Sequence, residues 1–404
     1  MIGLPHRKSA SLLYWRAVML PSLVCILTAS CSSIGGEQLI SSHTSYNDSV
    51  QLTVTREVLT NVVRSRYADP MQFITVQSIN AQFSVSAGAS AGAGEIGGAA
   101  AVGDAGASVG YSESPTITFT PEVGSNYFDS LYGPLSVNEL VAFVIMGRFV
   151  PGDMEFESVS LSMLFASVNG ASDITSNKPN ELYLRRIFAI AHLLDAGGSL
   201  EQVPEWDKHT STIAKTKVLG EDMVEAGKAG LYWLDEDDGA NARIAKQRMG
   251  LALKVVAAED PATVAALHDL NLEPGGDRYF IRSPSDAKPG KSYPNAIWVT
   301  PRSMAEVIII AGGAVDVPTE HSELVPQRIR LTSSEVGSPG FRIRSSRECP
   351  NVPYRVKHRG FCFYIDDKDV SSKQILEGLV STYMSRMGGI SERKNEPQVV
   401  IPVG

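Results

Sequence analysis

The segment FITVQSINAQFSVSAGASAGAGEIGGAAAVGDAGASVGYSESPTITFTP, residues 73–121, decides how this chain is read. From Phe73 the chain alternates with a period of two. Phe73, Thr75, Gln77, Ile79, Ala81, Phe83 and Val85 fall on one side, and Ile74, Val76, Ser78, Asn80, Gln82 and Ser84 on the other. This is the period of a β-strand, whose successive side chains point to opposite faces. The alternation runs on into a tract in which Val85, Ala87, Ala89, Ala91 and Ala93 interleave with Ser86, Gly88, Ser90, Gly92 and Gly94. A second arm sets Ala105, Ala107, Val109 and Tyr111 against Gly106, Ser108, Gly110 and Ser112, and continues through Ile117 and Phe119. Two such arms separated by Glu95 to Asp104 predict one long β-hairpin over 73–120. The tract also holds Gly92-x-Gly94-x-x-Gly97 and two Gly-x-Ser-x-Gly strings, at Gly88 to Gly92 and Gly106 to Gly110. These motifs work only in a strand–turn–helix setting, and a stretch this rich in glycine opens no stable helix.

Helical spacing takes over on both sides. Val50, Val54, Val58, Leu59, Val62 and Val63 recur at helical intervals behind Asp48 or Ser49, and Asp69-Pro70 stops the run, which predicts a helix reaching about Tyr67. Three later segments repeat a β-rich run, a turn, a Ser-x-x-Glu/Gln capping box, an apolar helix and a closing glycine. They are Thr116 to Gly147 with Ser136 and Glu139, Ile297 to Gly313 with Ser303 and Glu306, and Phe361 to Gly389 with Ser371 and Gln374. Another helix is predicted over Glu181 to Ala196, with Asn177 or Asn180 before it and Gly197 after it. Between Thr212 and Val256 the apolar spacing fits neither period. The expected fold class is α+β, a long Gly/Ala-rich β-hairpin with repeated strand–helix units. Two domains are expected, 48–200 with the hairpin and 201–404.

At the start, His6, Arg7, Lys8 and Arg16 precede an apolar run that ends in Leu27-Thr28-Ala29-Ser30-Cys31. A membrane span needs about 20 apolar residues, and this shorter run is broken by Pro21, so residues 1–30 read as an export signal. Residues 27–31 resemble the lipobox of bacterial lipoproteins, with Thr28 where leucine is usual. Cys31 is then the lipidated residue, and Ser32 in place of aspartate points to the outer membrane, with the body in the periplasm. Residues 31–47 read as a polar tether.

The 404 residues are 43% hydrophobic, enough for a sizeable core. The formal charge of −8 becomes −11 once the signal takes Arg7, Lys8 and Arg16, which argues against nucleic acid as a partner. With Cys25 lost and Cys31 lipidated, Cys349 and Cys362 remain as a pair in an oxidising compartment, where a disulfide is the natural state. No cysteine or histidine stands at metal-ligand spacing, and neither a cofactor motif nor a catalytic set is found. The acidic runs at Asp235 to Asp238 and Asp366 to Asp369 lack the spacing of a calcium loop. Arg328, Arg330, Arg342 and Arg344 alternate with Ile329, Leu331, Phe341 and Ile343 around a Ser/Gly-rich loop, which predicts a hairpin with an arginine face suited to anionic groups.

The runs VTREVLTNVVRSRYADPMQFITVQSINAQFSV at 54–85, SPTITFTP at 114–121, FYIDDKDVSSK at 363–373 and VVIPVG at the end carry a resemblance. Through them the chain resembles a family of uncharacterised proteobacterial outer-membrane lipoproteins. The resemblance implies a cell-envelope location and brings no catalytic residue. The expected function is non-enzymatic: a lipid-anchored structural or assembly component whose partners are the membrane, other envelope proteins and further copies of itself through the 85–112 hairpin. Two alternatives are an envelope glycan- or lipid-binding module using the arginine face, and an envelope hydrolase, for which Asp366, Asp367 and Glu306 are the first carboxylates to test.

Overall fold

The computed structural model describes residues 43–94, 102–121, 123–137, 139–140, 154–175, 178–208, 211–236, 239–287, 292–326, 340–387 and 399–402. Residues 43–66 form helix α1. It already runs through 43–47, inside the segment expected to be a tether, because neither glycine nor proline interrupts that stretch. Val58, Leu59, Val62 and Val63 are wholly buried on one face of it. Ala68 takes a positive φ of 56° after the last turn, and Asp69-Pro70 turns the chain away.

Two long strands follow, β1 (Ile74–Gly94) and β2 (Val102–Pro121), paired antiparallel. Between Val76 and Ser78 the register shifts by one, so an unbroken period of two does not run from Phe73 to Val85 as the sequence suggests. Helices α2 (Ser125–Tyr132) and α3 (Met154–Leu164) lead into β3 (Phe165–Val168), β4 (Ala171–Ser172), β5 (Ile174–Thr175) and β6 (Lys178–Pro179). Helix α4 (Glu181–Asp195) is capped by Asn180, whose side chain accepts from Leu182 N at 3.0 Å. It closes at Gly197, whose φ of 91° lies in the left-handed region that favours glycine there.

After β7 (Ser199–Lys208), the stretch whose period was ambiguous holds β8 (Ile213–Ala214), α5 (Gly220–Lys228), β9 (Leu231–Asp235) and β10 (Asn241–Lys254). Next come α6 (Pro261–Asp269), β11 (Arg278–Arg282), β12 (Ile297–Pro301), α7 (Met304–Ala311), β13 (Arg344–Ser346), β14 (Arg355–His358), β15 (Phe361–Tyr364), α8 (Val370–Met387) and β16 (Val399–Pro402). The fold is α+β, with helices beside mixed and antiparallel sheets.

The central sheet runs β4-β3-β12-β11-β10-β7, with β8 and β9 also on β10; β11 and β12 are parallel and the other pairs antiparallel. Since β3 pairs with β12, one sheet joins chain from both sides of residue 200. The boundary expected there does not hold, and the described residues from Thr55 onward belong to one unit. Helix α4 packs on both α3 and α6, and α3 and α4 also pack on β3. Tyr183 is fully buried there and donates to Phe165 O at 2.6 Å, while burial pushes its phenol up to about 12. Buried Arg186 donates to Val168 O at 3.0 Å and Asn169 O at 2.6 Å.

Two of the three capping boxes form. Glu139 N donates to Ser136 Oγ at 3.2 Å, and Glu306 N to Ser303 Oγ at 3.2 Å, each glutamate returning to its serine N–H. The third does not. Asp369 accepts from Ser372 N at 3.0 Å and takes the place of Ser371, because a carboxylate at this helix start is the stronger acceptor. Gln374 Oε1 is buried without a hydrogen-bond partner.

Candidate functional site

The feature that stands apart is the β1–β2 ribbon. Its base is pinned to the body. Asn61 in α1 donates to Gln72 O at 2.7 Å and accepts from Gln72 N at 2.9 Å, and Ile74 N donates to Glu57 Oε1 at 2.5 Å. Phe73 is buried and stacks on Tyr383 of α8, with ring centroids 4.6 Å apart. β16 adds a third strand only along Thr116–Phe119. From Ala81 and Pro115 outward the ribbon has two strands alone among the described residues. At about 3.4 Å per residue, the 14 residues from Ala81 to Gly94 extend roughly 45 Å.

The register sorts the ribbon into two rows. Val85 opposes Tyr111, Ala87 opposes Val109, Ala89 opposes Ala107, Ala91 opposes Ala105 and Ala93 opposes Gly103. Between them Ser84 opposes Ser112, Ser86 opposes Gly110, Gly88 opposes Ser108, Ser90 opposes Gly106 and Gly92 opposes Asp104. Directly opposed residues share a sheet face, so one row is apolar across both strands and the other is hydroxyl and glycine. In the second row Ser86, Gly88, Ser108 and Ser112 are exposed. The strands leave two outer edges, β1 along its whole length and β2 from Val102 to Pro115, without a partner strand among the described residues. Such edges present rows of main-chain donors and acceptors to whatever can pair with them. The Gly-x-Ser-x-Gly strings lie within these strands, which is not the setting their chemistry requires.

A cavity of about 440 Å³ lies where β7, β10 and β11 meet the Pro134–Val137 segment. Glu205 on β7 accepts from Arg248 at 3.0 Å and from Arg282, and Asp286 accepts from Arg248 at 3.0 Å and from Ser283 N at 2.8 Å. A Cβ on Gly250 would lie 2.8 Å from the Glu205 carboxylate, so glycine makes room for this network. Both carboxylates hold arginine partners, and Ser283 has hydroxyl and carboxylate neighbours but no histidine in hydrogen-bond contact among the described residues. The arrangement stitches strands together and has no nucleophile–base pair. Glu205 and Arg282 lie 77 residues apart; the trace of the network in sequence is the spacing of Glu201, Glu205 and Asp207 along one strand.

A second, partly buried cluster ties the end of α1 to the β14–β15 turn. Tyr67 Oη lies 2.8 Å from His321 Nδ1, and Arg359 donates twice to Asp69, at 2.7 and 3.3 Å. His358 Nε2 sits 3.0 Å from Asp69 Oδ2, at ion-pair distance but off hydrogen-bond alignment. The Arg359 hydrogen bonds hold Asp69 below the usual carboxylate range. Burial pushes His358 down, opposed by the Asp69 charge.

Of the residues singled out in sequence, Cys31, Arg328 and Arg330 lie outside the described residues. Cys349 and Cys362 form a disulfide, with an S–S distance of 2.11 Å. Arg342 and Arg344 are exposed and alternate with buried Phe341 and Ile343, and each has a carboxylate neighbour. The Arg344–Ser346 strand pairs with β15, Arg342 Nε donates to Asp316 at 2.7 Å, and Arg344 lies 3.5 Å from Asp366. Asp367 pairs with Lys373, and Glu306 is taken up by its capping box. Among the described residues no group of three or more His, Cys, Asp or Glu could hold a metal ion, and no helix is long and apolar enough to cross a membrane. Comparison with family models, curated proteins and solved structures gave no match.

Proposed function

We propose that this chain is a lipid-anchored, non-enzymatic protein of the outer membrane, an assembly component of a cell-envelope complex whose copies join through the 85–112 ribbon. The observation that carries this reading is the make-up of the outer strand β1. The outer strand of the central sheet, β7, contains Glu201, Glu205, Asp207, Lys208 and Pro204, the charges and proline that blunt an edge against pairing. β1 has 21 residues without a charge or a proline. A strand left open in this way is suited to receive another strand.

The occupant is a second copy of the same chain. A two-stranded ribbon by itself is marginal in water, and one this rich in glycine and alanine gains little from side-chain packing. Its two outer edges differ, so β1 of one copy meets β2 of the next, a head-to-tail contact that closes into a ring when the rotation permits. Lipid on Cys31 would hold the copies on one surface and raise their effective concentration. Light scattering of the detergent-extracted protein, with and without residues 86–112, tests this. A multimer that falls to monomer on deletion is expected; a monomer in both forms overturns the reading.

A further inference from the structure

We infer that the assembled ribbon crosses the bilayer, with the alanine row toward lipid and the serine–glycine row around a water-filled pore for small polar solutes. The inference rests on the assembly reading and goes beyond it, because a ring of ribbons could equally sit in water or against another protein.

Three features of the ribbon argue for a bilayer. The first is length. From the Val85–Tyr111 pair to the Ala93–Gly103 pair the apolar row covers nine positions on β1, and the next pair toward the base, Phe83–Glu113, brings a charge at its water-facing end. The nine positions rise about 27 Å along the strand, or about 21 Å along the membrane normal at a tilt near 40°, which approaches the apolar band of about 25 Å of an outer-membrane barrel. The second is the division between the rows. The polar row carries serine, glycine and Asp104, flanked toward the base by Gln82 opposite Ser114 and Asn80 opposite Thr116, while the alternate row has only alanine, valine, tyrosine and glycine above Phe83. A ribbon buried between two proteins on both faces would have no need for two unlike rows, whereas a barrel wall has such a dyad period between lumen and lipid. The third is main-chain satisfaction. Unpaired strand edges are not tolerated in hydrocarbon, so the two open edges must close on neighbouring copies before or during insertion. The weak apolarity of alanine makes insertion a property of the ring and not of one ribbon.

The register also places one charge in the pore. Between the Ser84–Ser112 and Gly94–Val102 pairs, Asp104 is the one residue of an acidic or basic type charged at neutral pH, and it lies on the polar row opposite Gly92. A ring of copies would set a ring of carboxylates near the far mouth, a pattern that favours cations.

The test uses the full-length lipidated protein in planar bilayers of phosphatidylethanolamine and phosphatidylglycerol under a potassium chloride gradient, with light scattering on the same preparation. Expected is a stable conductance with a reversal potential of cation-selective sign, which moves toward zero in Asp104→Asn. Ala89→Arg, on the apolar row, should reduce channel insertion by about tenfold or more, while Ser90→Arg, one residue away on the polar row, should keep the conductance and weaken cation preference. A multimer that conducts nothing overturns the pore and leaves the assembly reading standing. Equal effects of Ala89→Arg and Ser90→Arg overturn the assignment of the rows. A monomer overturns both readings.

Discussion

The chain contains two long antiparallel strand pairs, β1–β2 and β7–β10, and they are held together in opposite ways. In β7–β10 the register sets Glu205 against Arg248 and Leu200 against Leu253, and β10 is flanked further by β8, β9 and β11. Large side chains, a desolvated ion network and neighbouring strands stabilise that pair within one chain. In β1–β2 the outer register offers alanine to alanine and serine to glycine, with no third strand beyond residue 116 among the described residues. Pairing of equal regularity thus has large side chains and neighbouring strands behind it in one region and little side-chain packing in the other. Regular backbone geometry says nothing about stability until the side chains on both faces and both edges are counted.

The largest expected effect breaks the ribbon side of this comparison. Ser90→Pro combined with Ala91→Pro gives β1 the proline that β7 already has, and removes a main-chain donor from each of two successive positions. The multimer should fall to monomer on light scattering, with Tm of the body unchanged. A body that unfolds with the ribbon would show that the two regions are not independent.

On the other side, Glu205→Ala leaves buried Arg282 without its carboxylate, while Arg248 keeps Asp286. A loss of about 3–5 kcal/mol in denaturant unfolding is expected. Double replacement of Cys349 and Cys362 by serine opens a loop of 13 residues and should cost the body about 3 kcal/mol, again without affecting assembly. A loss of multimer in either variant would tie the ribbon to the body.

Acidification acts on identifiable groups of the body. His358 has a folded pKa below its ordinary 6.5, so it stabilises the fold fully above that pH, and the contribution is lost as the pH falls below it. Asp69, also lowered, contributes above its ordinary 3.8 and the contribution is lost as the pH falls through its folded value. Body stability should therefore decline in two steps on acidification, and His358→Gln should remove the upper one. A profile unchanged by that substitution would show that His358 does not titrate with folding. The smallest effect is expected at Gly88, where an added Cβ would lie 2.9 Å from the Ser108 hydroxyl, which can rotate away. Gly88→Ala should alter stability by less than about 1 kcal/mol.

Much of this was legible in the sequence where the cause is local. The period of two along residues 73–94, the Asn180 cap and the Ser136–Glu139 and Ser303–Glu306 boxes depend on residues within one turn or one pleat of each other. The strands between Thr212 and Val256 were not legible, because β10 serves different neighbours along its length and no single face of it is buried throughout. The carboxylate partners of the two described arginines were hidden for a related reason. Asp316 and Asp366, which occupy Arg342 and Arg344, are brought there by chain folding and not by the pattern around the arginines.

The sequence by itself determined the α+β class, the helix ends and a ribbon of small residues, since propensity, capping and side-chain alternation act over a few neighbouring residues. Only the tertiary structure decided that β3 joins β12 across more than a hundred residues and that Glu205 bridges Arg248 and Arg282. Those choices are made by which surfaces bury one another and which charges lose water together, and neither is encoded at any fixed spacing along the chain.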